Sequence, residues 1–360
     1  MHVLILGGAP KPLGGVEVFC ERASDAMQSR YPEWRVERMP TRTAFLTVRK
    51  VPAFIAGLDS LFEYRKQRPD CVWLQYTNLP DLVYLILARM LGLRVMVTPH
   101  LGSNWRSQSN SLLRGVSWWM LRFANRIALI SRTQEVELAL PANVPRSLIK
   151  TFLPHATLTG ALPDIDRPNR EIRLIHSGRL SEGKGTFLFV DVCQRLRDAG
   201  LSFQAQIVGG ADSDTVARLR EMIEHVKLGD HIMLRGHQSE LDLLGLLRSS
   251  DILVHLSRID SYPLIVLESM TCSVFPVCME LAGARDMIDT YGGHIVSQHG
   301  AVQETVDFIS RLDINDVRHR GRDAARGVRT DYSWDQCASA LETAVRLCVE
   351  RDDASQTLSM

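Results

Sequence analysis

The chain has 360 residues, of which 45% are hydrophobic and 23% are charged, and these values favour a globular protein with two domains. The formal net charge of +1 argues against a dedicated nucleic-acid binder, which usually carries a large positive excess. The seven cysteines are scattered without any CxxC pair, so they predict buried, reduced thiols of a cytoplasmic protein and not a disulfide framework or a zinc site.

The first part of the chain alternates between short apolar strands and helices. The predicted strands are 3–6, 71–75, 95–98 and 127–131, and the predicted helices are 16–30 and 82–91. The apolar start is too short for a signal peptide and is expected to form the first strand. No run of about twenty apolar residues occurs, so no membrane-spanning helix is expected.

A proline-rich segment, 153–170, interrupts the alternation and is expected to link two domains. The pattern then resumes. The predicted strands are 172–176, 203–208, 232–235, 252–256, 275–278 and 294–296, and the predicted helices are 186–199, 214–226 and 241–248. Strands that alternate with helices favour parallel sheets, and such sheets bind ligands outside the carboxyl ends of their strands.

Three loops at predicted strand ends carry chemistry suited to a nucleotide diphosphate. The first contains Gly7, Gly8, Gly14 and Gly15 before a helix, where backbone N–H groups can approach a phosphate. It is neither GxGxxG nor a Walker A loop, so a plain turn fits it as well. The missing GxGxxG also argues against an NAD-dependent dehydrogenase.

The second loop follows the strand at 172–176 and contains Gly178, Arg179 and Lys184. Arg179 can bind phosphate oxygens with two donors at once, and Lys184 adds a point charge. A solvated basic loop is the alternative interpretation.

The third loop runs from Asp260 into a helix that Pro263 is suited to begin. Glu268 lies in that helix among apolar residues, where a carboxylate is costly to bury without a partner. Asp260 and Glu268 can meet one ligand if the intervening loop curls around it. A glutamate on the helix surface is the alternative for Glu268.

Taken together, these loops resemble motifs of the retaining glycosyltransferases of the GT-B fold, family four. The resemblance covers nearly the whole chain in order. The similar segments are Gly14-Gly15-Val16-Glu17 (GGxE), Gly178-Arg179-Leu180 with Lys184-Gly185 (GRL…KG), Asp260 to Glu268 (E-x7-E), and Asp331-Tyr332-Ser333-Trp334, which resembles the aromatic-Ser-Trp that opens the final helix.

The resemblance implies an α/β protein of two Rossmann-like domains whose parallel sheets face a central cleft. The N-terminal domain, 1–160, would bind the acceptor, and a C-terminal helix at about 335–352 would cross back to it. The C-terminal domain, 161–334, would bind the nucleotide-sugar donor.

The resemblance also implies residue roles. Glu268 would bind the ribose hydroxyls, and Asp260 would face the transferred sugar. For His100, a structural histidine is as good an interpretation as a catalytic one. The implied catalytic residues are His100, Arg179, Lys184 and Asp260, and the implied donor-binding residues are Gly14, Gly15, Gly178, Arg179, Lys184, Tyr262, Leu264 and Glu268.

The implied activity is transfer of a hexose-type sugar from a nucleotide-diphosphate sugar to a glycan or lipid-linked glycan, with retained stereochemistry and without a metal or cofactor. Bacterial surface polysaccharide synthesis is the implied setting.

Two DxD strings occur, at 164–166 and 212–214, and the second is predicted to be a helix N-cap and not a metal site.

The chain departs from the family pattern in five places. Asp260 replaces a glutamate, Ser273 a glycine, His155-Ala156 an Asn-Gly pair, and Ala282-Gly283 a Gly-Gly pair, and one extra residue precedes Pro276. The substitutions at Asp260 and Ser273 keep open a non-catalytic GT-B subunit that binds nucleotide or partner glycosyltransferases. A sugar-nucleotide epimerase or hydrolase on the same fold is a second alternative.

A basic stripe with a tryptophan is predicted on one helix side within 106–126, formed by Arg114, Trp118, Arg122 and Arg126. An apolar face lies opposite. This pattern favours an anionic membrane surface or a lipid diphosphate as partner, and hence a peripheral position on the inner face of the cytoplasmic membrane. A helix packed on the core with a solvated face is the alternative.

Overall fold

The computed structural model describes residues 1–8, 15–41, 43, 51–102, 105–162 and 171–350. The chain forms two compact units. The first unit contains residues 1–152 and the segment from Tyr332, and the second unit is Leu153–Asp331. These boundaries, at 152/153 and 331/332, lie a few residues before the predicted domain boundaries at 160/161 and 334/335.

The first unit is built on a sheet of six parallel strands in the order β2-β1-β3-β4-β5-β6. The sheet has a topological switch point between β1 and β3, because β2 lies on one side of β1 and all later strands on the other. The strands are β1 (His2–Leu6), β2 (Arg35–Met39), β3 (Cys71–Tyr76), β4 (Val95–Pro99), β5 (Arg126–Leu129) and β6 (Arg146–Leu148).

Helices cover both faces of this sheet. One face is packed by α2, α3 and α5, whose buried residues Leu61, Tyr84 and Leu121 share a core with alternate residues of the strands. The helices up to the junction are α1 (Gly15–Arg30), α2 (Val51–Lys66), α3 (Asp81–Met90), α4 (Arg106–Ser109), α5 (Ser111–Leu121) and α6 (Gln134–Glu137).

The second unit repeats this architecture, with six parallel strands in the order β12-β11-β10-β7-β8-β9. Its strands are β7 (Ile172–Ser177), β8 (Phe203–Val208), β9 (Ile232–Gly236), β10 (Ile252–His255), β11 (Phe275–Met279) and β12 (His294–Val296). Its helices are α7 (His155–Thr159), α8 (Thr186–Asp198), α9 (Ser213–His225), α10 (Glu240–Arg248), α11 (Leu264–Thr271), α12 (Ala282–Tyr291), α13 (Ala301–Arg311) and α14 (Ile314–Asp331).

The last helix, α15 (Trp334–Val349), belongs to the first unit. It packs against α1, and the hydroxyl of Tyr31 donates a hydrogen bond of 2.9 Å to Oε2 of Glu342. The predicted return of the C-terminal helix to the first domain is therefore confirmed.

Four elements of the first unit were not predicted from sequence: β2, α2, α6 and β6. β2 reads RVERM, and its charged residues hide the apolar alternation. α2 contains Gly57 in its interior, which disfavours a helix, and α6 and β6 have only four and three residues. In the second unit α7 lies inside the expected linker, where Pro154 occupies its N-cap.

The predicted stripe helix needs correction. α5 ends at Leu121, so Arg126 lies in β5, where it is buried and donates hydrogen bonds to the carbonyls of Arg146 and Leu347. The opposite, apolar face of α5 does not pack into the core, and its side chains are largely exposed.

Ser273 closes α11 in a backbone conformation that usually belongs to glycine. Its φ is 63°, its N–H donates to the carbonyl of Met270, and the N–H of Val274 donates to that of Ser269. This is a Schellman motif with serine at the left-handed position. Because α11 has eight residues, Ser273 lies roughly 12 Å from the start of that helix.

All seven cysteines lie within the described residues. Each is buried and none forms a disulfide, as predicted.

Candidate functional site

Two loops flank the switch point of the second sheet, where β7 and β10 are neighbours and β8 lies on the other side of β7. The loop after β7 carries Lys184 into α8, and the loop after β10 carries Asp260 into α11. The carboxyl ends of strands at a switch point are where α/β sheets bind ligands. Two loops that were separate in sequence therefore meet at one place.

Gly185 brings Lys184 against the β10 loop. Its φ of 76° is left-handed, and a Cβ there would lie 2.2 Å from the carbonyl oxygen of Leu256. Only glycine accommodates both conditions. The N–H of Arg258 also donates to the carbonyl of Gly183 at 2.8 Å. These backbone contacts hold the two loops together and place Lys184 between them.

The side chains of Lys184 and Asp260 form an ion pair, in which the ammonium donates to Oδ1 of the carboxylate. The two side chains are 24% and 17% exposed, so the pair is partly enclosed and still open to a ligand. The other carboxylate oxygen, Oδ2, lies 2.9 Å from Nε2 of His255.

The neighbouring His255 and Lys184 keep the carboxyl group of Asp260 ionised. Burial alone raises the pKa of its carboxyl group, but the hydrogen bond and charge of His255, followed by those of Lys184, outweigh burial. The net effect holds the pKa of Asp260 well below its usual range. Both oxygens of the carboxylate are engaged as acceptors.

A second buried histidine, His176, helps to hold the loop after β7 in place. Its Nδ1 lies 3.2 Å from the carbonyl oxygen of Val254, and its Nε2 lies 3.1 Å from the hydroxyl of Thr186. That hydroxyl also accepts a hydrogen bond of 3.1 Å from the N–H of Ser181. Burial, followed by the neighbouring His255, lowers the pKa of His176 to about 4. His176 is therefore neutral at pH 7.

The other predicted donor-binding residues of the second unit lie near the same end of the sheet. Gly178 directly follows β7 and its N–H donates to the carbonyl of Val208 at 3.1 Å, while the next residue, Arg179, is exposed. Tyr262, Leu264 and Glu268 are half-buried. Leu264 and Glu268 are four residues apart on α11, so they share one helix face.

The first turn of α12 packs against the loop that carries Asp260. A Cβ on Gly283 would lie 2.0 Å from the carbonyl oxygen of Ser261. The Ala282-Gly283 pair thus keeps glycine where the backbones touch. Helices α8, α11 and α12 all begin at this edge, and their N-terminal N–H groups and dipoles favour an anion there.

In the first unit His100 directly follows β4. Its Nε2 lies 2.8 Å from Oε1 of Gln75, and its ring packs edge-on against Phe19 at 5.0 Å between centroids. Because Gln75 accepts, Nε2 carries the hydrogen and Nδ1 is left as an acceptor. Burial lowers the pKa of His100 to about 4, so the ring is neutral at pH 7.

Two described glycines directly follow β1 at the same sheet end. A Cβ on Gly7 would lie 2.5 Å from Cγ of Gln75, and Gly8, with a φ of 73°, packs against Glu17. Gly15 is the exposed first residue of α1 and has open space where a side chain would be. Gly14 lies outside the described residues.

His255, His176 and Gln75 were not singled out from sequence. Each is a buried polar residue at one of the last two positions of a mostly apolar strand. That position was the available signal, because a buried polar side chain at the ligand end of a parallel strand requires a partner.

The exposed surface of α5 is apolar and basic. Leu112 is 74% and Trp119 is 52% exposed, and Arg114 and Arg122 are exposed beside them. The guanidinium of Arg122 lies 5.3 Å from the centroid of the Trp118 ring. Helices α2 and α3, in the same layer, add the exposed residues Ile55, Phe62 and Met90.

Within the described residues, no helix is both long and apolar enough to cross a membrane. In the same part of the chain, no three His, Cys, Asp or Glu side chains are grouped to hold a metal ion. Asp212 caps α9, and its Oδ1 accepts a hydrogen bond of 2.8 Å from the N–H of Thr215, which confirms the predicted N-cap. The other DxD string, Asp164-Ile165-Asp166, lies outside the described residues.

Two curated relatives share parts of this sequence. The putative colanic acid biosynthesis glycosyltransferase WcaL of Escherichia coli (strain K12) is 21% identical over 178 residues, which are 47% of this chain and 43% of that protein. The GDP-mannose-dependent alpha-(1-6)-phosphatidylinositol dimannoside mannosyltransferase of Mycobacterium tuberculosis is 26% identical over 196 residues, which are 54% of this chain and 48% of that protein. The matches span about half the length of these relatives.

The fold has solved counterparts. Anabaena Alr3699/HepE in complex with UDP and glucose superposes with a TM-score of 0.75 at 17% identity, covering 96% of this chain and 99% of that one.

Two family models match successive parts of the chain. The glycosyl transferase 4-like domain matches residues 14–150, and glycosyl transferases group 1 matches residues 162–327. The chain therefore belongs to glycosyltransferase family four and has the GT-B fold.

Proposed function

We propose that this protein transfers a hexose-type sugar from a nucleotide-diphosphate sugar to a glycan or lipid-linked glycan, with retained stereochemistry. The observation that carries the proposal is the ion pair of Lys184 and Asp260 at the switch point of the second sheet. Family membership supports the activity, and HepE in complex with UDP and glucose supports the class of donor.

The central chemical task is to stabilise the departing diphosphate. As the anomeric C–O bond breaks, negative charge grows on the phosphate oxygens and positive character grows on the sugar. Lys184, Arg179 and the N-termini of α8, α11 and α12 supply fixed positive charge for the phosphate. These groups supply the positive charge that a metal ion would otherwise provide, so we propose that transfer proceeds without a metal. Retained activity in excess EDTA tests this proposal.

The nucleoside and the sugar need separate contacts. We propose that Glu268 accepts hydrogen bonds from the ribose hydroxyls, with Leu264 one turn earlier on the same face of α11. Tyr262 lies in the loop that precedes this helix. His100 is neutral, and its Nδ1 can accept a hydrogen bond from a sugar hydroxyl.

Retention is proposed to follow from front-face attack, in which the leaving phosphate helps to remove the proton of the acceptor hydroxyl. The product anomer, measured by NMR on freshly formed product, tests this step. A product with inverted configuration would contradict it.

The acceptor is proposed to be presented at an anionic membrane surface. The exposed tryptophans and cations of α5 form the mixture of aromatic, aliphatic and basic groups that binds at lipid headgroups. WcaL is named for colanic acid biosynthesis, which fits bacterial surface polysaccharide synthesis as the setting. We propose a peripheral position on the inner face of the cytoplasmic membrane. Co-sedimentation with anionic but not zwitterionic vesicles is expected, and Trp119→Ala with Arg122→Ala should abolish it.

Incubation with a panel of UDP- and GDP-sugars, with and without acceptor glycans, tests the activity. Sugar transfer that depends on the acceptor supports the proposal. Release of free sugar or a changed sugar without acceptor would indicate a hydrolase or epimerase. Nucleotide binding without any reaction would indicate a non-catalytic subunit.

A further inference from the structure

His255 contacts the predicted site although no sequence motif includes it. It is the last residue of β10, and its side chain is 3% exposed. A carboxylate can only accept, so Nε2 of His255 donates to Oδ2 of Asp260. The other ring nitrogen, Nδ1, is buried and has no hydrogen-bond partner within the described residues.

This arrangement is costly for a residue that only packs. An imidazole with one unsatisfied nitrogen in a central strand stabilises the fold less than an apolar side chain of similar size. The hydrogen bond to Asp260 connects the imidazole to the loop at the ligand end of the sheet. A buried polar atom without a partner is rare in native structures and calls for an explanation.

We propose that His255 is a positioning residue of the diphosphate site: by holding Oδ2 of Asp260 it turns Oδ1 toward Lys184 and fixes the ammonium where the departing diphosphate binds. The ammonium has three N–H donors, and one of them goes to Asp260. Two remain for phosphate oxygens. This inference rests on the proposed glycosyl transfer.

Loss of His255 has a specific consequence. Without that hydrogen bond the carboxylate of Asp260 is free to rotate, and burial, the opposing influence, raises its pKa. Protonation of Asp260, which releases Lys184, then begins at a higher pH than in wild type. The acid limb of the activity profile should therefore move toward neutral pH, which a purely structural role would not cause.

Three substitutions separate these effects. His255→Leu removes the donor, His255→Gln places an amide donor near the position of Nε2, and His255→Asn is too short to reach Asp260. His231→Gln is the matched control: His231 directly precedes β9, is partly buried, and its Nδ1 lies 3.3 Å from the carbonyl oxygen of Phe203. Each variant is assayed for sugar transfer from pH 5 to 8, for UDP and GDP binding by calorimetry, and for Tm.

We expect His255→Leu and His255→Asn to lower kcat and nucleotide affinity at least about 10-fold and to shift the acid limb upward. His255→Gln should stay within about 3-fold of wild type, and the acceptor KM should change little in all three variants. If His255→Leu fails to fold, the contrast between Gln and Asn decides. Wild-type kinetics and pH profile in His255→Asn would overturn the inference alone, whereas a wild-type protein that neither binds UDP or GDP nor transfers sugar would overturn the proposed function as well.

Discussion

Lys184 and Asp260, 76 residues apart in sequence, form one ion pair at the carboxyl ends of adjacent strands β7 and β10. The pair combines the cation of one predicted motif with the first carboxylate of another. It makes Lys184 the residue on which the account of catalysis most depends.

Lys184→Ala should lower sugar transfer by about 100- to 1000-fold, because a fixed charge at the leaving group acts mainly in the transition state. The Tm should change by only a few degrees, since the pair is partly exposed. Steady-state kinetics and thermal unfolding check both. The exposed Lys227→Ala is the control, and near-normal turnover in Lys184→Ala would contradict the assignment.

Glu268→Ala should weaken binding of UDP or GDP by about 10- to 100-fold, because hydrogen bonds from ribose hydroxyls to a carboxylate are charge-assisted. The effect should be smaller with 2′-deoxynucleotides, which lack one of the two hydroxyls. Calorimetric titrations measure both. Glu221→Ala, an exposed glutamate of α9, serves as control; equal affinity of wild type and Glu268→Ala would rule out ribose recognition by Glu268.

Ser273→Gly should stabilise the second unit by about 1 kcal/mol, or roughly 2 °C in Tm, because glycine adopts a φ of 63° without the clash of a Cβ atom. Ser273→Ala keeps that clash and should gain nothing from backbone relief. Activity should be unchanged, since Ser273 closes α11 at the end away from Leu264. A lower Tm for Ser273→Gly than for Ser273→Ala would contradict this explanation.

Acid should destabilise the fold in the window between about pH 6.5 and pH 4. His100 and His176 have a pKa of about 4 when folded, against about 6.5 when unfolded, so the unfolded state binds more protons within that window. The free energy of unfolding then falls as pH falls, by up to about 1.4 kcal/mol per pH unit for each histidine. Asp260 acts in a lower window, because its pKa is depressed and its stabilising effect is lost only in strong acid.

Urea unfolding of wild type and His100→Gln at several pH values checks this pH dependence. Within this window, the number of protons taken up on unfolding should be smaller by about one in the variant than in wild type. The same slope in both proteins would show that His100 is not held neutral by burial.

The strands and loops that could be predicted are those with a clear local sequence pattern. Apolar runs such as Ile252–His255 identify buried strands, and glycine-rich loops mark their ends. β2 was missed because Arg35, Glu37 and Arg38 interrupt its apolar pattern, although its residues pair with β1 along their whole length. Tertiary pairing overrode local composition there.

The site was predictable where one motif carries the chemistry. Lys184 and Asp260 were both identified, but their mutual contact depends on the order of strands in the sheet. His255 was missed because one histidine in an apolar strand has no distinguishing spacing. The exposed apolar face of α5 was also missed, because periodicity shows that a helix has two faces and not which one meets the core.

The most direct test of the central claim is calorimetric titration of nucleoside diphosphates and monophosphates into wild type and Lys184→Ala. UDP or GDP should bind wild type at least about 10-fold more tightly than the corresponding monophosphate, and Lys184→Ala should remove most of that difference while leaving monophosphate binding nearly unchanged. Equal diphosphate affinity in the two proteins would contradict the claim that Lys184 holds the leaving group.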